Sequence, residues 1–424
     1  MKKYIEVYNH YKNLIEAGQY KKGDKMPSVR QSVSLMSVSK TTVESAYFEL
    51  QADGYIISQP QSGYYVSYSA PKKPTEHSTD KAKNPIIFDL KSGDADSESF
   101  DLNLWQRYIK SALRQKERLL SYSSAEGEQD LREALSVYIR NKRNVVASPD
   151  RIIVGAGVQP LLSILCVLLK GRVTVSFPTV NFVQGISTFE GYGFDVHTRD
   201  KNADIIYVSP SHMTSYGDVM PITRRLQLVR HSNKAGSMII EDDFDSDFLY
   251  QTKPVPSLFA LSDGGNVVYM GSFSNVLIPG IRISFMVLTD ELAKKFYENK
   301  HRFAQTASKT EQIALCGYIR DGHIAAQTRK IRRHYTNKTK SLYDEIKRQI
   351  PHAEARLSEN GLAVKMTADY NGSADEFEKR GIAVHIYSIE GGKIRLALIP
   401  SALEGENIPQ AVQVIKAILD ENSD

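Results

Sequence analysis

From residue 86 onward, short runs of apolar, β-branched and aromatic residues alternate with stretches of helical periodicity. Helical stretches such as 160–169 and 223–232 separate most of these runs. Short apolar strands that alternate with helices favour a mostly parallel sheet with both faces covered. We therefore predict an α/β domain with strands at 152–154, 173–175, 205–208, 238–240, 267–269 and 283–287.

We predict that this domain has a large lobe over residues 86–290 and a smaller α+β lobe over residues 291–424. The smaller lobe begins with long helical stretches and ends in a helix. Its strand-like runs lie near 363–364, 383–385 and 394–396.

Positive charge is concentrated near the N-terminus. The chain of 424 residues has a formal net charge of +5, of which residues 1–66 and residues 67–85 contribute +2 each. The segment 67–85 is rich in Ser, Pro, Thr and Ala and cannot bury enough apolar surface to order itself, which predicts a linker. A basic small domain joined to a near-neutral large one fits a nucleic-acid binder with an attached sensor or enzyme.

The apolar stretches are short. The longest, at 161–169, falls far below the roughly 20 residues of a spanning helix, and the N-terminus lacks the apolar core of a signal peptide. Cys166 and Cys316 each lie in an apolar helical pattern, which favours buried thiols over a disulfide or a metal site. We expect a cytoplasmic protein without membrane contact.

The first 66 residues are predicted to form three helices and a hairpin. An amphipathic first helix is followed by a short helix from Ser28 and by a longer helix capped by Ser39. The segment 54–66 has the size of a wing. Recognition helices place their N-terminal residues against base edges, which here are Ser39, Lys40, Thr41 and Thr42. A helical cap with a hairpin is the alternative interpretation.

Several motifs in this segment agree with one family in order and spacing. They are Pro27 to Arg30, Ser39 to Val43, Leu50, Gly54-Tyr55 and Ser62-Gly63. Together they resemble the GntR-type winged helix over residues 1–66. The resemblance implies double-stranded operator DNA as a partner. It implies DNA contacts by Ser28, Arg30, Ser39, Lys40, Thr41, Thr42, Ser62 and Gly63.

A second ordered set of motifs follows. It comprises Tyr122 to Gly127, Ala156 to Gln159, Glu241 to Phe248, Gly271 to Arg282, Asp321 to His323 and Arg329 to Tyr335. These motifs resemble the fold-type I aminotransferases over residues 86–424, and the joined architecture resembles the MocR group of GntR regulators. The resemblance implies pyridoxal phosphate as cofactor and a homodimer whose pockets lie at the subunit interface.

The resemblance also implies roles for individual residues. The carboxylate of Asp242 would pair with the pyridine nitrogen, and Arg395 would bind the carboxylate of an effector. Phe244 stands where the family usually has a tyrosine that contacts the phenolic oxygen. Taken singly, Asp242 could also belong to a structural ion pair. The phosphate would be held by the amides of Val158 and Gln159 and by Ser272, Ser274 and Arg282.

The sequence departs from the family at its catalytic lysine, because Asn275 stands between Ser274 and Val276. An amide is neither nucleophilic nor basic, so it cannot form the Schiff base or move the substrate's proton. Val180 also replaces the aromatic residue that commonly stacks on the pyridine ring, a role that Phe182 could take.

We therefore predict a transcription regulator whose aminotransferase-like domain senses an effector without catalysing transamination. The effector would be an amino acid or a vitamin B6 derivative, and any pyridoxal phosphate would be bound non-covalently. Two alternatives remain. One is a pyridoxal-phosphate-dependent aminotransferase in which another residue supplies the missing chemistry. The other is a regulator whose large domain only dimerises.

Overall fold

The chain forms two compact units, Met1–Ala82 and Lys83–Asp424. The computed structural model describes residues 2–68, 85–95, 98–213, 218–243, 246 and 256–423. The elements of the first unit are α1 (Lys3–Glu16), α2 (Val29–Met36), α3 (Lys40–Ala52), β1 (Ile56–Gln59) and β2 (Gly63–Val66).

The first unit is held together by an apolar core and a buried chain of hydroxyl groups. The Tyr11 hydroxyl lies 2.7 Å from Ser32 Oγ, which lies 2.8 Å from the Tyr47 hydroxyl. This chain connects α1, α2 and α3, and Tyr47 also donates to the Pro27 carbonyl. The strands β1 and β2 pair as an antiparallel hairpin. The predicted winged-helix fold is therefore confirmed.

The second unit contains two sheets. Its strands are β3 (Phe88–Leu90), β4 (Ile152–Gly155), β5 (Thr174–Phe177), β6 (Asp195–Thr198), β7 (Ile205–Val208), β8 (Met238–Asp242), β9 (Val267–Ser272), β10 (Ser284–Val287), β11 (Glu354–Leu357), β12 (Val364–Asp369), β13 (Ile382–Glu390) and β14 (Lys393–Leu398). Its helices are α4 (Leu102–Leu113), α5 (Lys116–Leu119), α6 (Gln129–Arg143), α7 (Val158–Leu168), α8 (Val183–Gly191), α9 (Ile222–Ala235), α10 (Leu258–Leu261), α11 (Asp290–Glu298), α12 (Lys309–Arg320), α13 (His323–Gln349), α14 (Asp375–Lys379) and α15 (Ile408–Glu421).

The larger sheet has seven strands in the order β4-β10-β9-β8-β7-β5-β6. The strand β10 is antiparallel to both neighbours, and the other pairings are parallel. Alternate side chains of this sheet enter two cores, one packed by α4, α6, α9, α10 and α12 and the other by α7, α8 and α11. The six predicted strands all occur in this sheet. The edge strand β6 was not predicted, because Asp195 to Thr198 lacks an apolar run.

The smaller sheet has five strands in the order β11-β12-β14-β13-β3, and α13 and α15 pack against one of its faces. Its strand β3 lies parallel to β13, although the sequence predicts residues 86–290 to form the large lobe. In addition, α12 packs in the core of the larger sheet. Residue 290 therefore does not separate the two sheets with their helices. The strand β3 precedes it and joins the smaller sheet, whereas α12 follows it and packs against the larger sheet.

Among the described residues, no helix is long and apolar enough to cross a membrane.

Candidate ligand cavity and DNA-binding surface

The helix–turn–helix of the first unit is fixed by two helix caps. Ser28 forms a capping box with Gln31, in which Gln31 N donates to Ser28 Oγ and Ser28 N donates to Gln31 Oε1. Ser39 caps α3, where its Oγ accepts from Thr42 N at 3.2 Å. Ser39 Oγ also lies 2.9 Å from Thr41 Oγ1. The Ser39 hydroxyl therefore stabilises the start of α3 by hydrogen bonds within the protein, independently of any contact with DNA.

A groove with a volume of about 980 Å³ separates α2 from the hairpin. It brings together four predicted DNA contacts, namely Ser28, Arg30, Ser62 and Gly63. Lys25 and Gln31 also line it, although neither was predicted as a DNA contact. Lys25 reaches the groove because it pairs with Tyr65 in a β-bridge to the hairpin, and this pairing leaves no local signal in the sequence.

The other predicted DNA contacts lie at the N-terminus of α3 and do not line this groove. Ser39, Lys40 and Thr41 are exposed, and Thr42 is half-buried. Lys40 Nζ lies 3.4 Å from Glu44 Oε1 in an exposed pair, which contributes little to stability. The Lys40 ammonium can therefore exchange this partner for a phosphate at small cost.

A cavity of about 510 Å³ opens in the second unit where several parallel strands end. This is the edge at which ligands bind in open α/β sheets. Within the described part of the chain, the cavity is lined by Gly157, Val158, Gln159, Phe177, Pro178, Thr179, Asn181, Phe182, Gln184, Tyr207, Ser209, His212, Met213, Asp242, Ser272, Ser274, Arg282 and Ser284. Six predicted residues are among them: Val158, Gln159, Asp242, Ser272, Ser274 and Arg282.

One end of the cavity has the donors that an anion requires. Gly157 caps α7 with φ of +95°, and no side chain caps this helix. The Ser274 amide donates to Ser272 Oγ, and Ser284 Oγ donates to the same oxygen at 3.0 Å. Ser284 was missed because its position opposite Ser272 depends on the register of β9 and β10. These hydroxyls, the start of α7 and the Arg282 guanidinium form a site suited to a dianionic phosphate.

The opposite wall carries Asp242 at the end of β8. Its Oδ2 atom accepts a short hydrogen bond from the hydroxyl of Tyr207 on the neighbouring strand β7. Burial and the nearby Asp242 carboxylate raise the pKa of Tyr207 well above its ordinary value, so Tyr207 remains a hydrogen-bond donor at neutral pH. Tyr207 was not predicted, because its contact with Asp242 arises from strand pairing.

Aromatic rings line the cavity between these two ends. The ring of Phe182 lies 5.4 Å from the ring of Tyr207, which stacks on Phe177 at 4.9 Å. A Cβ atom at residue 185 would lie 2.2 Å from the Phe182 ring, so the glycine found there makes room for it. Val180 is 66% exposed and does not line the cavity. Phe182, together with Phe177, is therefore an aromatic side chain that this segment places in the cavity, whereas Val180 is not part of it.

Two predicted site residues that the structure describes, Asn275 and Arg395, are not among those that line the cavity. Asn275 lies in the turn after Ser274 and is half-buried. Phe244 lies outside the described residues. Arg395 is exposed and lines a separate cavity of about 820 Å³ beside β12 and β14. Its guanidinium donates to Ser388 Oγ at 3.2 Å.

Lys309 also lies away from the ligand cavity. Its ammonium donates to the carbonyl oxygens of Arg118 and Ser121, both at 2.8 Å. It is thus engaged in holding the segment before Tyr122.

A buried group of charges supports the wall that carries Asp242. Arg143 of α6 donates to both carboxylate oxygens of Asp243, at 2.7 and 3.0 Å, and Tyr269 donates to the same group. Glu241 accepts from the backbone amides at the start of α10. Burial, reinforced by Asp243, raises the pKa of Glu241 to about 7.

Comparison with known families assigns both units. Residues 3–66 match the bacterial regulatory proteins of the gntR family, and residues 85–364 match the aminotransferases of class I and II. The HTH-type transcriptional regulator YdeL of Bacillus subtilis is 30% identical over 383 residues, which span 85% of this chain and 83% of YdeL. The chain belongs to the GntR-type transcriptional regulators that carry an aminotransferase class I and II domain.

Other relatives match this regulator across most of their length. The probable rhizopine catabolism regulatory protein MocR of Rhizobium meliloti is 26% identical, over 88% of this chain and 82% of MocR. The pyridoxine biosynthesis regulator PdxR of Corynebacterium glutamicum is 25% identical, over 86% of this chain and 83% of PdxR. The predicted resemblance to MocR-like regulators agrees with these matches.

Solved aminotransferases share the fold of the second unit of this regulator. An archaeal alanine:glyoxylate aminotransferase superposes with a TM-score of 0.69 at 22% identity, covering 80% of this chain and 92% of the enzyme. The α-aminoadipate aminotransferase LysN of Thermus thermophilus gives 0.67 at 22% identity, over 79% of this chain and 92% of LysN. LysN was crystallised with N-(5'-phosphopyridoxyl)-L-leucine. The predicted fold class is confirmed for both units.

Proposed function

We propose that this regulator binds operator DNA through residues 1–66 and senses a vitamin B6 compound in the aminotransferase-like domain without catalysing transamination. Residues 67–85 would link the DNA-binding domain to the sensor domain over 86–424. The observation that carries the proposal is the composition of the ligand cavity. It keeps donors for a phosphate and a carboxylate for a ring nitrogen, and no described residue that lines it is a lysine.

The residues present fit pyridoxal phosphate or pyridoxamine phosphate. Ser272, Ser274, Ser284, Arg282 and the amides that begin α7 would hold the phosphate. Asp242, oriented by Tyr207, would pair with the pyridine nitrogen, and Phe182 would cover a face of the ring. When bound, such a cofactor supplies an electron-withdrawing ring. Asn275 stands at the position implied for the lysine and has no amine that could react with such a cofactor.

Intact mass measurement of the full-length protein distinguishes the three functions. Pyridoxal phosphate is added, borohydride is supplied to reduce any Schiff base, and the binding affinity is measured in parallel by fluorescence quenching. A saturable affinity without a mass increase supports the sensor. A mass increase of one label per chain, which peptide mapping assigns to a single lysine, supports an aminotransferase. Absence of binding supports a domain that only dimerises.

The effector would engage Arg395 by its carboxylate, in line with the role that the family resemblance implies. The cavity that Arg395 lines is of mixed charge, since its four basic residues face the carboxylates of Asp218, Glu354 and Glu390. Lys365 is paired with Asp218 at 2.6 Å. The guanidinium of Arg395 favours an amino acid or another carboxylate as the effector. The name of PdxR, a pyridoxine biosynthesis regulator, favours a vitamin B6 derivative for the ligand cavity itself.

We also propose a homodimer formed by the large domain. The segment that Lys309 holds exposes the side chains of Leu120 by 88% and of Tyr122 fully, and Leu113 nearby is 53% exposed. Clustered exposed apolar side chains are typical of interaction surfaces. A symmetric dimer would also present two winged helices to paired half-sites. Light scattering at micromolar concentration that gives the mass of one chain would overturn this proposal.

A further inference from the structure

Lys25 is held against the hairpin of the first unit by backbone pairing. The Met26 amide donates to the Tyr64 carbonyl at 2.8 Å, and Lys25 itself pairs with Tyr65 in an antiparallel bridge. This pairing fixes the backbone of Lys25 beside β2. Its side chain therefore starts from a rigid base, as a DNA contact requires.

The side chain of Lys25 extends along the hairpin. Its Nζ atom lies 5.7 Å from the centre of the Tyr65 ring, and its Cε atom lies 3.5 Å from the position of a Cβ atom on Gly63. The neighbouring acid in the sequence, Asp24, accepts from the backbone amide of Lys21 at 2.7 Å. Among the residues that the structure describes, no carboxylate forms an ion pair with Lys25. Its exposed ammonium is thus available to the anion of a partner.

Gln31 lies on α2, at the other wall of the groove. Its Oε1 atom accepts from the Ser28 amide at 2.8 Å in the capping box. Because the start of the helix holds this oxygen, the exposed side chain presents its NH2 group, a donor, to an outside partner. Within the described part of the chain, no group accepts a hydrogen bond from that NH2 group.

The lining of the groove suits an extended anion. Arg30 and Gln31 belong to its α2 wall, and Lys25, Ser62 and Gly63 belong to its hairpin wall. The described lining residues include two cations and no carboxylate. The volume of about 980 Å³ leaves room for a stretch of nucleic-acid backbone between the two walls.

Building on the DNA binding proposed for residues 1–66, we propose that this groove holds the sugar–phosphate backbone of one operator strand. The Lys25 ammonium and the Gln31 NH2 group donate to phosphate oxygens from opposite walls. Backbone contacts carry no sequence information, but they fix the register and orientation of a protein on the duplex. The two contacts therefore hold the N-terminus of α3 in place against the base edges.

Lys25→Met tests the contact from the hairpin wall, because it keeps the length of the side chain and removes the charge. The probes are a duplex selected from a random pool by the full-length wild-type protein and a shuffled duplex of equal length. We expect about tenfold weaker binding to both, as for the loss of one hydrogen bond to a charged group, and a salt slope lower by about 0.9. Lys22→Met removes an equal charge at an exposed position outside the groove and leaves both quantities unchanged.

Gln31→Glu tests the contact from the α2 wall without removing the helix cap. A carboxylate still accepts from the Ser28 amide, because the capping box takes Glu as well as Gln, so the midpoint of thermal unfolding is kept. The donor is lost and a negative charge faces the phosphates, so binding to both duplexes weakens about tenfold or more. Asn13→Asp makes the same change from amide to acid at an exposed position of α1 outside the groove and binds like the wild type.

Ethylation interference identifies the phosphates in the groove. Ethylation of such a phosphate removes its charge and weakens the wild-type complex. In Lys25→Met, ethylation of the phosphate that Lys25 contacts has no further effect, whereas interference at the other phosphates is kept. Circular dichroism of each variant checks that the fold is retained.

The outcomes separate this assignment from the proposed DNA binding itself. If Lys25→Met and Gln31→Glu bound as tightly as their controls while Arg30→Ala bound weakly, the assignment would be wrong and the DNA-binding surface would stand. A loss confined to the selected duplex would indicate base contacts and would also overturn the assignment. If the wild type selected no duplex from the pool, the proposed DNA binding would fail, and the assignment with it.

Discussion

The guanidinium of Arg282 lies directly against the backbone of Gly157 in the ligand cavity. A Cβ atom on residue 157 would be 2.5 Å from one terminal nitrogen of Arg282, so only glycine permits this approach. Both residues have positive φ, +95° for Gly157 and +50° for Arg282. A non-glycine residue in the left-handed region is strained, and such strain concentrates at functional sites. The pair therefore joins the start of α7 to the turn before β10 at the proposed phosphate site.

Gly157→Ala is expected to weaken pyridoxal phosphate binding by displacing the Arg282 guanidinium. It should also lower the free energy of unfolding by about 1–2 kcal/mol, because alanine is strained at positive φ. Gly171→Ala is the matched control, since Gly171 has φ of +107° and a Cβ atom added there would meet no atom within 4 Å. Urea unfolding and a binding titration of both variants check the prediction. Equal ligand affinity in the two would contradict it.

Tyr207→Phe removes the donor to Asp242 and leaves a buried carboxylate oxygen without that bond. We expect a loss of about 1–3 kcal/mol in unfolding free energy, as for a buried hydrogen bond to a charged group. Ligand affinity should also fall, because Asp242 loses its orientation. Tyr192→Phe, at a half-exposed position after α8, serves as the control and should match the wild type in both measurements.

Asn275→Lys is expected to create a covalent site for pyridoxal phosphate. If residue 275 faces the bound aldehyde, the new amine forms a Schiff base, which borohydride fixes as a mass increase at residue 275. Asn275→Gln, which lengthens the side chain but keeps the amide, should show none. Peptide mapping that finds no label at residue 275 would argue against the position assigned to the missing lysine.

Arg30→Ala and Lys40→Ala are each expected to weaken operator binding by about 1–3 kcal/mol if the side chain contacts a base. A residue that contacts only phosphate would instead lower the salt slope of binding by about one. Lys22→Ala removes an equal charge from an exposed position outside the groove. Gel shifts on the regulator's own promoter region, at several salt concentrations, measure both quantities. If neither variant differed from Lys22→Ala, the proposed DNA surface would be wrong.

The sequence by itself determined the order of the elements and the chemistry of the motif residues. Apolar runs such as 238–240 predict buried strands because both faces of a parallel sheet must be apolar. Ser28 and Ser39 indicate helix starts because a cap is a local interaction. The motif residues Ser272, Ser274, Arg282 and Asp242 line one cavity because strand ends of one sheet meet at one edge.

Only the tertiary structure decided which distant residues complete each site. The contacts of Tyr207 with Asp242 and of Ser284 with Ser272 depend on strand pairing and register. A local sequence pattern does not reveal either of these. The pairing of β3 with β13 places residues 88–90 in the smaller sheet, since a three-residue strand carries no signal of its partner.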